Sequence, residues 1–157
     1  MKLIKDKYKY PELQRVENEL GRFYIDSEGQ EVPSVTNVLS TTSDQSGIDE
    51  WKRRVGLEEA ERVLQESSSI GSNVHNALEN YLQDKEWKII DDGSYISKTS
   101  ILILESFINN LINDINEVWG LEAGLILDGL YAGTADCIGV YNGCLLYTSP
   151  SPRDRPL

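Results

Sequence analysis

The chain contains little cysteine and histidine, and this scarcity limits the chemistry open to it. Its two cysteines, Cys137 and Cys144, are too few for a disulfide framework or a four-cysteine cluster. Because His75 is the only histidine, metal sites that need two or more histidines are excluded. No P-loop, dinucleotide-binding glycine motif or Gly-x-Ser-x-Gly nucleophile elbow occurs, although a Ser-His-Asp triad is not formally excluded. The low cysteine content favours a reducing, cytoplasmic setting.

Long apolar runs are also missing. The longest, near Ile101–Leu104, is far too short to span a bilayer, and the first residues contain no apolar signal core. We therefore expect neither a membrane segment nor a secretion signal. The hydrophobic content of 39% and the charged content of 26% are ordinary for a soluble globular protein, and 157 residues suffice for one domain with a core.

Positive charge is scarce, since the formal net charge is −11. This argues against a protein that holds many phosphates, because such proteins usually present a basic face. Net charge says little about local patches, however, and nuclease centres concentrate carboxylates to hold metals. Basic residues cluster at Lys2, Lys5, Lys7 and Lys9, and again at 52–54. A solvated surface explains these clusters equally well.

The end of the chain differs in character from the rest. Three of the five prolines are Pro150, Pro152 and Pro156, and no helix or strand periodicity is expected to continue there. The peptide from Cys144 to about Asp154 resembles the translation of a transposase-type sequencing adapter; a flexible Pro/Ser-rich tail is the alternative. We therefore interpret residues 144–157 as a non-native tail and residues 1–143 as the front part of a longer domain.

Hydrophobic patterning predicts helices first and then an antiparallel meander, which indicates an α+β fold with an incomplete sheet. The predicted elements are a hairpin over 22–36 turning at 27–30, a helix opening at Ser34, helices over 48–54, 57–65 and 73–82, a long helix over 97–115, and strands over 121–127 and 130–141. Residues 8–20 are expected to be irregular, 67–72 to break the chain, and 87–90 to form a short strand. Asp128-Gly129 and Asn142-Gly143 are hairpin signals, and the second asks for a strand that the authentic sequence does not supply.

His75 is the first candidate functional residue. It lies early in a predicted helix, and Glu79 follows one turn later on the same face. A surface or hydrogen-bonded structural histidine is the commoner role for a lone histidine.

Asp136 is the second candidate, because it lies in an otherwise apolar strand between Ala135 and Cys137. A carboxylate should not be buried there without a partner or a metal, although a turn or edge aspartate would also fit. Gly133 would let a backbone or a ligand come close. Glu122, on the preceding strand, could project toward the same region, but a solvent-facing carboxylate is the commoner case.

Four segments together resemble the PD-(D/E)XK (RecB-like) nuclease superfamily, in the branch of phage and mitochondrial genome maintenance exonucleases. They are Val32–Leu39, Trp51–Ala60, Gly71–Glu79 and Tyr131–Asp136. The resemblance implies a restriction-endonuclease-like mixed sheet on which a hairpin and helices pack. In that family the helix histidine and the aspartate after Gly-Thr are metal ligands.

Carried over, the resemblance makes His75 and Asp136 catalytic metal ligands for Mg²⁺ or Mn²⁺, with Glu122 as a third candidate ligand. The residues expected to contact DNA are Lys52, Arg53, Arg54, Ser72 and Thr134. The chain departs from the family in having Gly71-Ser72 where Gly-Thr is usual. The acid-x-lysine expected on the next strand is also missing after Asn142-Gly143.

The implied function is hydrolysis of phosphodiester bonds at single-stranded DNA ends, in the cytoplasm of a bacterial or phage-infected cell. Trp51, Trp87 and Tyr131 could stack on bases, although core packing is the commoner role for each. We expect the chain itself to be inactive, because half of the metal-binding acids and the lysine are missing. Two alternatives stay open: a non-catalytic nucleic-acid-binding or replication-partner module, and an acidic structural protein without a site.

Overall fold

The computed structural model describes residues 2–4 and 7–148 and divides the chain into two compact units. Unit 1 contains the chain up to Ser43 together with the segment that starts at Ile115, and unit 2 is Asp44–Asp114. The described residues form α-helices and two small sheets, which confirms the predicted α+β class. None of the helices in these residues is long and apolar enough to cross a membrane.

Unit 1 contains both sheets and one helix. Its elements are β1 (Lys2–Leu3), β2 (Gln14–Asn18), β3 (Gly21–Ile25), β4 (Glu31–Pro33), α1 (Val35–Thr42), β5 (Ile115–Leu127), β6 (Tyr131–Tyr141) and β7 (Cys144–Thr148). The larger sheet has the order β1-β5-β6-β7 and is mixed, because β1 runs parallel to β5 while the other pairs are antiparallel. The smaller sheet is the antiparallel meander β2-β3-β4, whose buried Tyr24 and Val32 pack with Ala132 of β6.

Two predicted turns of unit 1 are held together by the Asp26 carboxylate, which is 6% exposed. It accepts backbone N–H bonds from Gln30 at 2.8 Å, within its own turn, and from Gly129 at 2.9 Å. In return, the Asp128 carboxylate accepts the N–H of Ser27 at 3.1 Å. The β3–β4 turn and the β5–β6 turn are thereby fastened to each other.

Helix α1 begins where a hydroxyl cap was predicted. Ser34 is buried, and its Oγ accepts the N–H of Asn37 at 3.0 Å. The Asn37 side-chain amide in turn donates to the Arg22 carbonyl at 2.9 Å, and a Cβ at Gly21 would lie only 2.5 Å from that amide. The polar first turn of α1 therefore fixes the start of β3.

Unit 2 is helical, with α2 (Ser46–Val55), α3 (Leu57–Leu82), α4 (Tyr95–Asn110) and a short 3₁₀ turn at Ile112–Asp114. The predicted break at 67–72 is wrong, because α3 runs through it without interruption. Serine and an interior glycine weaken a helix by only about 1 kcal/mol each or less. Packing of α3 against α4, with Ala60 and Ala77 buried on α3, outweighs that loss.

Other boundaries also differ from the sequence-based expectation. Residues 8–20 were expected to be irregular but contain β2, a polar strand in which only Val16 is half-buried. The strand expected at 87–90 is absent from this described segment, since Trp87 instead packs edge-to-face on Tyr81 at 5.3 Å. Helix α4 ends at Asn110 rather than near 115, because asparagine and aspartate in 109–116 favour turns over helix.

Strand β7 corrects two further expectations. Asn142 and Gly143 have φ values of 46° and 77°, which suit a two-residue hairpin. The chain therefore continues as a strand in which Cys144 pairs with Tyr141 and Leu145 with Val140. Two expectations are therefore wrong for Cys144–Thr148: that no strand periodicity continues into this segment, and that the Asn142-Gly143 turn lacks a following strand. The rest of the proposed tail, residues 149–157, lies outside the described residues, as does Lys5 of the first basic cluster.

Candidate functional site

Asp136 and Glu122 lie on adjacent strands at the centre of the β5–β6 hairpin. Leu121 pairs with Cys137, and Ala123 pairs with Ala135, so the two acids occupy the positions between these pairs. Asp136 is half-buried, and its Oδ1 atom is shielded from solvent, whereas Glu122 is exposed. The structure therefore brings together the two acids of unit 1 that the sequence singled out.

The backbone of Glu122 is unusual, because its φ of 49° lies in the left-handed region. A residue other than glycine, asparagine or aspartate is uncommon there, and such conformations cluster at functional sites. The sequence contains no signal for this feature, since glutamate has no special preference for positive φ. The observation adds weight to Glu122 as a site residue.

Close packing surrounds the hairpin on either side of the acid pair. At Gly133 the approaching group is the Val35 side chain, 3.3 Å from the position that a Cβ would take. At Gly124 it is the Pro11 carbonyl oxygen, at 2.2 Å from such a Cβ. Both glycines therefore make room for the protein's own chain, so Gly133 is explained by packing without a ligand.

Cys137 is a poor candidate for nucleophilic chemistry. Burial, and secondarily the neighbouring Asp136 charge, raise the pKa of its thiol. A thiol is a reactive nucleophile only as the thiolate, which a raised pKa disfavours near neutral pH. The Asp136 and Glu122 carboxylates are therefore better candidates for chemistry on this hairpin than the Cys137 thiol.

His75 lies on α3 in unit 2, with Glu79 one turn later. A ring nitrogen of His75 and a carboxylate oxygen of Glu79 lie within 4.8 Å of each other. Glu79 is half-buried and accepts the Gln83 side-chain N–H at 2.8 Å, which helps to orient it. The sequence placed Glu79 on the histidine's face but did not count it as a ligand; the i,i+4 spacing was the signal that could have done so.

The residues expected to contact DNA are distributed over both units. Lys52, Arg53 and Arg54 form the last turn of α2, where cations also suit the negative end of the helix dipole. Arg53 donates from Nε to the Asp49 carbonyl at 3.3 Å, and both arginines are exposed.

The two hydroxyl residues expected to contact DNA, and the three aromatic residues that could stack on bases, are divided between the two units. Ser72 is exposed on α3 of unit 2, while Thr134 is half-buried on β6 and pairs with Gly124. Trp51 and Trp87 are half-buried in unit 2, and Tyr131 is exposed in unit 1. Among the three aromatic residues, Tyr131 is thus the most accessible.

Comparisons of the chain with protein-family models, with curated proteins and with solved structures found no match. The chemistry of the donors is therefore the basis for choosing a ligand. Carboxylate oxygens such as those of Asp136 and Glu122 suit the hard cations Mg²⁺ and Mn²⁺, and an imidazole such as that of His75 fits Mn²⁺ better. The residues present thus fit the metal that the family resemblance implies.

Proposed function

We propose that this chain belongs to a metal-dependent exodeoxyribonuclease of the PD-(D/E)XK class, which hydrolyses phosphodiester bonds at single-stranded DNA ends. The observation that carries the proposal is the acid pair of the β5–β6 hairpin. One oxygen of Asp136 is shielded from solvent, and Glu122 on the adjacent strand adopts a left-handed backbone. The mixed larger sheet supports a restriction-endonuclease-like core.

Each residue has a distinct role in the proposal. On the β5–β6 hairpin, Asp136 would be the principal ligand of Mg²⁺ or Mn²⁺ and Glu122 an additional carboxylate ligand. The family resemblance assigns His75 of α3 a principal ligand role as well. The bound metal would polarise the scissile phosphate and lower the pKa of a water molecule.

The proposed DNA contacts serve to position the strand. Lys52, Arg53 and Arg54 would neutralise backbone phosphates, and the hydroxyl groups of Ser72 and Thr134 would donate hydrogen bonds to them. Such contacts set the register of the strand without reading its sequence.

Strand β7 sets a limit on the activity of this chain. It occupies the position after β6 at which the family carries an acid, one residue and a lysine, but it reads Cys-Leu-Leu-Tyr-Thr. A lysine at that position would orient the attacking water or neutralise developing charge. We therefore expect little or no cleavage of single-stranded DNA by the 157-residue chain with Mn²⁺. Robust cleavage would contradict the expectation that activity requires a lysine on this strand.

Metal binding can be tested without any activity. Mn²⁺ should raise the melting temperature of the chain, because a ligand that binds only the folded state stabilises it by about 2.7 kcal/mol at 100 times its Kd. Asp136→Asn should remove most of this metal-dependent rise. Glu61→Gln, an acid-to-amide change at an exposed position on α3, is the matched control and should keep it. An equal rise in wild type and Asp136→Asn would reject Asp136 as a ligand.

The parent gene allows the test of catalysis. In a longer protein that carries an acid-x-lysine strand after residue 143, Asp136→Asn should abolish cleavage while binding to single-stranded DNA is largely kept. Unchanged cleavage in this variant would rule out the proposed role.

A non-catalytic nucleic-acid-binding module is the second candidate, and the composition of β7 favours it. If the natural continuation also lacks an acid-x-lysine after Gly143, the fold would hold DNA without cleaving it. The presence of that motif would decide for the nuclease. A chain whose stability does not respond to Mn²⁺ and which does not bind DNA would instead fit an acidic structural protein.

A further inference from the structure

The segment before β2 carries an exposed aromatic ring that the proposed nuclease chemistry does not use. Lysine and tyrosine alternate from Lys7 to Tyr10. The Tyr8 ring is 54% exposed, yet it is held by edge-to-face contacts at 5.8 Å to Trp119 of β5 and at 6.5 Å to Tyr10. Tyr8 is thus a ring that is fixed on one side and open on the other.

The ring behind Tyr8 is itself immobilised. The Trp119 indole N–H donates to Glu117 Oε2 at 2.6 Å, and the Lys7 ammonium lies 3.4 Å from the indole centroid. Lys7 also lies 3.5 Å from Glu117 Oε2, so its charge is balanced locally. Two different interactions therefore hold the indole against which Tyr8 packs, and an ion pair joins the two residues that make them.

The chain that carries Tyr8 is pressed onto β5 at two glycines. The Tyr10 ring lies where a Cβ of Gly120 would approach it to 2.7 Å, and the Pro11 carbonyl lies where a Cβ of Gly124 would approach it to 2.2 Å. Because this approach needs bare backbone at both positions, the segment is seated in one place. A ring presented on such a support loses little conformational entropy when a ligand covers it.

We infer that Tyr8, supported by Trp119, is a stacking site for one base of a single-stranded nucleic acid. The exposed Lys9, next in the chain, supplies an ammonium group for an adjoining phosphate. Aromatic rings flanked by cations bind single strands in this way because every base has a π-face, whereas the bases of a duplex are already stacked. The inference rests on the proposed function for the identity of the partner.

The charge of the chain sets a further expectation for this site. A net charge of −11 opposes long-range attraction of nucleic acid, so stacking must supply much of the affinity at Tyr8. Each phosphate neutralised contributes about 0.7 to the slope of log K against log salt for single strands. A Lys9→Ala variant should therefore reduce that slope by about 0.7, and Tyr8→Ala should leave the slope nearly unchanged.

The test measures anisotropy of a fluorescein-labelled thymidine oligomer of roughly ten nucleotides with the full chain in EDTA, where cleavage cannot occur. Tyr8→Ala should weaken binding by about 5- to 150-fold, the range found for loss of one stacked base. Tyr8→Phe keeps the ring and should stay within about twofold. Tyr95→Ala is the matched control, because Tyr95 is a tyrosine of unit 2 with 66% exposure.

A second measurement on the unaltered protein covers the case in which Tyr8→Ala does not fold. Irradiation with an oligomer that contains 5-iodouracil should crosslink to Tyr8, mapped by mass spectrometry in the Lys7–Glu12 peptide released by cleavage after acidic residues. Binding with no crosslink at Tyr8, or an equal loss for duplex and single strand in Tyr8→Ala, would overturn this inference alone. No binding of single strands by the wild type would overturn both it and the proposed function.

Discussion

The contact between Gly124 and the Pro11 carbonyl allows a quantitative test of the packing in unit 1. The oxygen would lie 2.2 Å from an alanine Cβ, while ordinary van der Waals contact begins at 3.4 Å. The carbonyl would therefore have to move by about 1.2 Å, and it belongs to backbone rather than to the end of a flexible side chain. Overpacking of this kind typically destabilises a protein by about 1–3 kcal/mol.

Gly124→Ala should accordingly lower the melting temperature by about 2 to 12 °C, since 1 kcal/mol corresponds to roughly 2–4 °C in a chain of this size. Gly71→Ala is the matched control with the opposite sign. Gly71 lies inside α3 with nothing within 4 Å of its added Cβ. Alanine there should stabilise the helix by about 0.5–1 kcal/mol and raise the melting temperature by a few degrees.

Circular dichroism at 222 nm, recorded during heating at pH 7, compares the three proteins under one condition. The two substitutions add the same methyl group, so any difference between their changes in melting temperature reflects the surroundings of each glycine. A Gly124→Ala variant that melts at or above the wild-type temperature would refute the close seating of Pro11 on β5. It would also remove one of the supports assigned to the Tyr8 ring.

Two further predictions concern stability. Leu104 is 2% exposed on α4, so Leu104→Ala should destabilise the protein by about 2–5 kcal/mol. Leu102 is 67% exposed on the same helix, so Leu102→Ala should change stability by less than about 0.5 kcal/mol. Equal losses of stability in urea unfolding would contradict the burial of Leu104. Hydrogen bonds from turn amides hold the pKa of Asp26 below its usual value. The Gln30 amide contributes most, and the Gly129 amide contributes next. This carboxylate thus contributes stability above about pH 4, near the pKa of an unfolded aspartate, and the contribution is lost as the pH falls through the lower folded-state pKa. Asp26→Asn should therefore lower the melting temperature at pH 7 and make the melting temperature fall less steeply as the pH drops below about 4. An unchanged dependence of the melting temperature on pH in this acidic range would argue against the turn-amide contacts.

Features set by a few neighbouring residues could be predicted from the sequence. The Ser34 cap, the turn at Asp128-Gly129 and the turn at Asn142-Gly143 all occur as predicted. Each depends on the conformational preference of the residue itself, such as the positive φ that glycine and asparagine adopt readily. Local patterns suffice there because these preferences act within a few residues, and the long-range hydrogen bonds of the Asp128-Gly129 turn add to a turn that its own residues already favour.

Features that depend on distant packing could not be predicted. Helix α3 continues through 67–72 because its packing against α4 outweighs weak local propensity. Strand β2 is polar along nearly its whole length, so its identity comes from pairing with β3 rather than from alternation. Strand β7 forms because the Asn142-Gly143 turn returns the chain to β6. Leu145 and Leu146 pair with β6 although both side chains are exposed.

Two aspartates of unit 1 show why a sequence alone does not separate a structural carboxylate from a functional one. Asp26 and Asp136 both belong to apolar strand patterns, and both are shielded from solvent to some degree. Asp26 ends its strand and accepts backbone amides of two turns, which explains its burial without a ligand. Asp136 instead lies within β6, at the position opposite Glu122 of β5. The proposed metal site makes a measurable distinction between the two residues, because only Asp136→Asn, and not Asp26→Asn, should remove the rise in melting temperature with Mn²⁺.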